Sequence, residues 1–351
     1  MSDVFRILQR LTNKLIIIGL VLLFVACSDD FSPNTDVEGV PVVYGIINPA
    51  DSIYYIRLSK TFQCNTDIAI CAHDTGHLYY RDPKVEIEVL NPKGDLLNRG
   101  QLYRVTLTNT QNLEGLFDSP VKMVYTIRRD QIMIDSYFDQ ARILILKIST
   151  PEYSRLVYAK SVLRSSLVLL KPKPLIHGTF LDFYSEETEN IVWDGWTDDY
   201  HEITFTFHYS DHYTDSVNFR SIVFKAHIPP VHNPDLPADR YIYHVFGDWF
   251  LKRVAKCFQS ISTPDSLQYR KFETIDVEVA SITGDFYDYT YSLGFDSDVE
   301  IAQKSNIVNG LGVFATKRKT QSTGHYLNFK VLDSLANSPT TRWINFTKWN
   351  Y

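Results

Sequence analysis

Long apolar runs, basic blocks and cysteines are all scarce in this chain of 351 residues. Its longest charge-free apolar stretch, residues 15–26, is too short for a standard membrane-spanning helix, which needs about 20 apolar residues. No Lys/Arg block or basic stripe stands out and the net charge is −6, which sets nucleic acid aside as a partner. Four cysteines are too few for a disulfide-rich scaffold, and their spacing does not suit a zinc site. The sequence carries no nucleophile elbow, phosphate loop, zinc-protease helix or dinucleotide fingerprint. That weakens an enzyme reading, and no cofactor is expected. A glycosidase needs two carboxylates that leave no local motif, so a surface hydrolase acting on polysaccharide or peptide stays open as the alternative.

What is present begins at the first residues. Arg6, Arg10 and Lys14 precede the apolar stretch LIIIGLVLLFVA. A secretory leader has this form: a basic start, then an apolar core of about 7–15 residues. The stretch ends Phe24-Val25-Ala26-Cys27, which resembles the lipobox of signal peptidase II substrates. The chemistry needs small Ala26 before the cut and the Cys27 thiol after it, because that thiol accepts diacylglycerol. Phe24 departs from the Leu usual at its place. The alternative is an uncleaved anchor. The reading is a signal peptide over residues 1–26, lipidation at Cys27, and the bilayer as first partner. Loss of three cations and Asp3 with the leader leaves the mature chain near −8. Ser28, Asp29 and Asp30 follow, and they resemble the acidic export signal of surface-exposed Bacteroidetes lipoproteins. The resemblance implies an outer-membrane anchor with the body facing the exterior. Residues 27–39 are polar, hold Pro33 and read as a flexible tether.

The body reads as mainly β. Between residues 40 and 170 lie seven strand-like runs, at 40–48, 53–60, 85–90, 103–108, 123–128, 143–149 and 155–164. In Val85-Glu86-Ile87-Glu88-Val89 the apolar residues share one face and the glutamates the other, the mark of a half-buried strand. Turn residues separate the runs, such as Asn91-Pro92 with Gly94. Seven short strands without a convincing helix suggest an immunoglobulin-like β-sandwich. High aromatic content, 14%, suits packed sheet faces and equally suits a binding platform.

Residues 171–179, KPKPLIHGT, read as a linker. A second β-rich domain over 180–351 follows, with strands expected at 189–196, 202–209, 217–226, 271–282 and 326–332. One helix is expected near 240–261, where apolar residues from Ile242 to Ile261 recur at 3–4 spacing and Asp239 supplies a cap. A second, shorter helix or packed loop is expected near 284–293.

Two segments carry a resemblance. Pro41-Val42-Val43-Tyr44-Gly45-Ile46-Ile47-Asn48 with Asp51 to Lys60 resembles the opening of a Bacteroidetes surface lipoprotein family, domain of unknown function 4249. Ser305-Asn306-Ile307-Val308-Asn309-Gly310-Leu311-Gly312-Val313-Phe314 resembles that family's second recurring motif. The resemblance covers nearly the whole mature chain but brings no catalytic residues. It implies a role beside a TonB-dependent receptor in nutrient uptake. In physical terms Gly45 would allow close backbone approach, while Gly310 and Gly312 suggest a turn needing positive φ before a strand at 313–315.

Several side chains are candidates for chemistry, each against a plainer role. Cys64 and Cys71 bracket a short loop and suit a disulfide in an oxidising compartment. Cys257 reads as a buried apolar residue on a helix. His208, Asp211, His212 and Asp215 offer surface metal ligands, or only a solvated strand end. His73, Asp74 and His77 raise the same question. Glu186, Glu187 and Glu189, and Asp296, Asp298 and Glu300, are acidic runs that do not match an EF-hand loop. Ser52, Ser266 and Ser334 each follow Asp and precede an apolar residue, resembling Bacteroidetes O-glycosylation sites. Ser266 and Ser334 are the expected carriers, with Ser52 the least accessible. The leading function is non-enzymatic binding at the cell surface. An adhesion or envelope-structural role is the further alternative, favoured by a flat patch of exposed aromatics.

Overall fold

A computed structural model of the chain describes residues 38–62, 70–71, 74–107, 122–132, 142–163, 167–173, 179–183, 191–195, 199–228, 240–291 and 304–347. The alternating runs of the first half are strands: β1 (Pro41–Ile47), β2 (Ile53–Lys60), β3 (Lys84–Leu90), β4 (Leu96–Leu107), β5 (Lys122–Arg128), β6 (Arg142–Thr150) and β7 (Tyr153–Leu163). The second half holds β8 (Val168–Lys171), β9 (Phe180–Leu181), β10 (Ile191–Asp194), β11 (Tyr200–His212), β12 (Val217–Ile228), β13 (Arg240–Tyr243), β14 (Tyr269–Ile282), β15 (Ile307–Val308) and β16 (Leu311–Leu327).

In the first half, β1-β2-β5-β4 are neighbours, and so are β3-β6-β7. That is the ABED and CFG arrangement of an immunoglobulin-like sandwich. β4 passes from one sheet to the other: residues 103–107 pair with β5 and residues 96–102 with β3. Period-2 alternation turns Val85, Ile87 and Val89 inward, against Leu144, Leu146, Ile148 and Tyr54. Each fully buried side chain of this kind contributes about 1.5–3 kcal/mol. Glu88 breaks the pattern. It is buried because Arg99 and Lys147, on the flanking strands, neutralise it.

The second body is a sheet ordered β12-β11-β14-β16, with a small sheet β13-β10-β8 beside it. The helix Gly247–Phe258 lays Phe250, Leu251, Val254 and Phe258 on a core shared with Phe205, Phe207 and Phe224. On β11, buried Glu202 accepts from Lys225 at 3.0 Å and Lys317 at 2.8 Å, tying β11 to β12 and β16. Among the described residues, no helix is long and apolar enough to cross a membrane.

Several expectations need correction. The helix near 240–261 is shorter, because Arg240–Tyr243 pairs with β10 and Arg240 bridges Asp194 at 2.8 Å. Its start has Phe246 at the cap position without a side-chain cap, and Asp239 lies outside the described residues. The strand expected at 326–332 gives way at Asn328, whose side chain accepts from Val331 N and starts the helix Phe329–Asn337. The second body also begins before the proline-rich linker, since Leu167 and Leu169 belong to its core. The helix Gly284–Tyr291 forms where a helix or loop was expected.

The two resemblance motifs meet in space. β1 runs parallel to the first part of β16, with Val42 opposite Leu311 and Gly45 opposite Phe314. A Cβ on Gly45 would collide with Ile56 and stand 3.2 Å from Phe314. Positive φ falls at Asn309 (59°) and Gly312 (106°), with Gly310 instead crowded by Ile307 and Pro41. Beyond residue 316, β16 leaves the sandwich and pairs with β14 over residues 317–325. One strand of 17 residues therefore belongs to both bodies.

Candidate functional site

Cys27, Ser28, Asp29 and Asp30 lie outside the described residues, as do Cys64, His73, Glu186, Glu187, Glu189, Asp296, Asp298 and Glu300. Cys71 is disulfide-bonded and nearly buried. Cys257 is free, so the partner of Cys71 lies outside the described residues. Asp74 works as a helix cap: its side chain accepts from Gly76 N at 2.8 Å. Exposed His77 lies 3.7 Å from Asp74.

The residues His208, Asp211, His212 and Asp215 do not converge. His208 Nε2 lies 3.0 Å from Asp276, and His212 Nε2 lies 2.9 Å from Ser210 Oγ. Asp211 is buried and holds Arg270 at 2.8 Å and Arg220 at 2.9 Å. Asp215 is exposed on the β11–β12 turn. Among the described residues, no three His, Cys, Asp or Glu side chains are placed to hold one metal ion. The Asp-Ser sites also differ from expectation. Ser52 and Ser266 are exposed in turns, whereas Ser334 is half-buried in the helix Phe329–Asn337.

Two surfaces stand out instead. The first is the outward face of β1-β2-β5-β4. Alternation that sends Val43, Tyr54, Ile56 and Leu102 into the core sends Tyr44, Tyr55 and Tyr103 outward, at 45%, 48% and 63% exposure. Tyr55, Thr126 and Tyr103 form one row across three strands. Strands lie about 4.8 Å apart, so the two tyrosines stand about 10 Å apart with Thr126 between them. Arg57 faces Tyr44 across β1–β2, and Ile53 and Val105 flank the row. Tyr289 of the helix Gly284–Tyr291 approaches Tyr44 to 6.3 Å between ring centres. Burial, and then Tyr289, pushes the Tyr44 phenol up from its ordinary value.

The second surface is a groove of about 420 Å³ at the seam between the bodies. Lys160 and Val162 of β7, Asp199, Thr283, Asp285 and Asp288 line it. Each carboxylate already has a donor: Ser281 on Asp199, Asn306 on Asp285, and Lys304 on Asp288 at 2.9 Å. No local pattern in the sequence links these residues, which come from three distant segments.

No family model matches the chain, and no curated protein matches it. Among solved structures, one described as the BSP domain of a biofilm associated protein aligns with 9% identity and a TM-score of 0.16. The alignment covers 82% of this chain and 29% of that one, so the chain spans less than a third of that structure. At that TM-score the likeness carries no argument.

Proposed function

We propose that this protein is a lipid-anchored surface protein that binds an extended carbohydrate chain without chemically changing it. The observation that carries the reading is the outward row of exposed Tyr55, half-buried Thr126 and exposed Tyr103, with Tyr44 and Arg57 beside it. Tyrosine rings offer flat apolar faces to sugar C–H groups, while Thr, Arg and the phenol hydroxyls offer hydrogen bonds to the rim. A β-sheet holds those rings rigidly, so little side-chain freedom is lost on binding. Family 4249 kinship rests on the two motifs, and anchoring at the outer membrane rests on Cys27 and the residues after it.

The test is binding of the full lipidated chain to a panel of soluble polysaccharides. At least one should bind the parent, and Tyr55→Ala with Tyr103→Ala should weaken it about tenfold or more. Equal binding by parent and double variant removes the tyrosine face from the function. Replacing Cys27 with Ser should release the protein from the membrane fraction. Co-purification from native outer membranes tests the accessory role: a stoichiometric TonB-dependent receptor supports it, and recovery alone removes it.

The groove favours a second reading, a surface hydrolase, because carboxylates meet there. A glycosidase needs one carboxyl protonated to act as acid. In the groove Asp199, Asp285 and Asp288 each already accept a hydrogen bond, from Ser281, Asn306 and Lys304. Release of new reducing ends from a bound polysaccharide, abolished by Asp199→Asn, would establish the hydrolase over the binder.

A further inference from the structure

β12 ends the long sheet, with β11 as its neighbour on one side and no strand of the described residues on the other. Such an edge offers a row of backbone donors and acceptors to any incoming strand, and proteins normally blunt it. Of the common devices β12 carries exposed Arg220 and Lys225, but both are drawn back onto β11 by Asp211 and Glu202. The strand is 12 residues long, contains no proline, and pairs with β11 from Val217 to Ile228 without a register shift. It also exposes apolar side chains: Phe219 at 77%, Val223 and Val217. The helix Gly247–Phe258 covers the inner face, where Ile222, Phe224 and Ala226 are buried. It reaches the strand's backbone through Cys257, whose Sγ lies 3.7 Å from Val223 O, a long and weak contact.

We propose that β12 pairs with β12 of a second copy of this chain, antiparallel about a twofold axis near Ser221. The sequence of the edge is complementary to itself in that arrangement. With Ser221 on the axis, Phe219 of one copy faces Val223 of the other, an aromatic and β-branched cross-strand pair. Val217 then lies against the aliphatic stem of Lys225. Exposed Asp215, on the turn before β12, then falls opposite exposed His227 of the other copy at both ends of the ladder. A twofold axis repeats each contact twice, which is the economy of an isologous dimer. A partner with an unrelated strand would not draw on this self-matching.

The dimer goes beyond the carbohydrate reading and does not depend on it. Its consequence for that reading is multivalency: two tethered copies present two tyrosine faces to one polymer, and the second contact forms at high effective concentration. β12 and the tyrosine face lie on different strands, so variants at one leave the other intact.

The test is cysteine cross-linking of the full lipidated chain in native membranes. Residues facing each other across antiparallel strands have Cα atoms about 4.5–5.5 Å apart, within disulfide reach. Phe219→Cys, Ser221→Cys and Val223→Cys are made singly, each with Cys257→Ser so that the native thiol does not compete. Mild oxidation should convert Ser221→Cys to a covalent dimer most completely. Adding Phe219→Lys and Val223→Lys to that variant should abolish the dimer while leaving circular dichroism unchanged, since both side chains are exposed. The proposal is overturned if none of the three cysteines cross-links, or if the lysine pair leaves cross-linking undiminished. It is likewise overturned if the cysteine is captured mainly by a protein of different mass.

Discussion

Gly312 sits against Val43 so closely that a Cβ on it would collide with the Val43 carbonyl oxygen, and its φ is +106°. Both facts belong to the parallel pairing of β1 with β16, where Val43 faces Gly312. Gly312→Ala therefore meets a backbone clash and a left-handed backbone together. Strain of this kind costs about 1–3 kcal/mol before the clash is counted. The expected result is a fall of several degrees in Tm, larger than for Gly45→Ala, where the colliding atom is the mobile end of Ile56.

Asp211 and Arg270 form a buried pair at 2.8 Å, and Arg270 also donates to Ile344 O at 2.8 Å. Removing one partner leaves an uncompensated buried charge, at a cost of about 3–5 kcal/mol. Asp211→Ala should show that loss in urea unfolding. Asp211→Leu combined with Arg270→Met should recover part of it, because both charges then leave the interior. Equal losses in the single and double variants would refute the pair's importance.

His201 is enclosed by Trp193 and Tyr241, with neither ring nitrogen hydrogen-bonded to any of the described residues. Burial lowers its pKa to about 4. The unfolded chain binds the proton near pH 6.5, so it holds more protons than the folded chain between those values. Stability is thus unaffected by this group above pH 6.5 and falls as pH drops toward about 4, by at most roughly 3 kcal/mol. Unfolding of the parent at pH 7.5 and pH 5 should show the decline. His201→Phe should flatten it.

Ser266 lies exposed in a turn and Ser334 is half-buried in a helix. Glycan is therefore expected on Ser266 and not on Ser334 when the protein is taken from its native envelope. Intact-mass spectra of the parent and Ser266→Ala should differ by the glycan. A parent mass without any glycan increment would end the idea.

Local patterns revealed the strands but not their partners. The alternation from Val85 to Val89 placed β3, and the turn residues at Asn91 and Gly94 placed its end. Nothing in Val42 to Ile47 shows that its neighbour is Leu311 to Thr316, because a parallel ladder leaves no periodic trace of its partner. The 3–4 spacing from Ile242 onward was consistent with a helix, but Tyr241 stacks on Trp193 and draws Arg240–Tyr243 into a strand. At Asn328 a cap outweighed the alternation of Leu327, Phe329 and Val331. Exposure of Tyr44, Tyr55 and Tyr103 was equally hidden, since alternation separates two faces without saying which one meets water.

β16 also sets an order of events during synthesis. A ribosome makes β1 among the first strands of the body, yet the partner that completes its parallel ladder emerges only when residues 311–316 have been made. The sandwich stays open on that side through nearly the whole of translation. A strand waiting so long with an unpaired side is exposed to wrong pairing. Holding the chain unfolded until residues 311–316 have been made would spare β1 that wait.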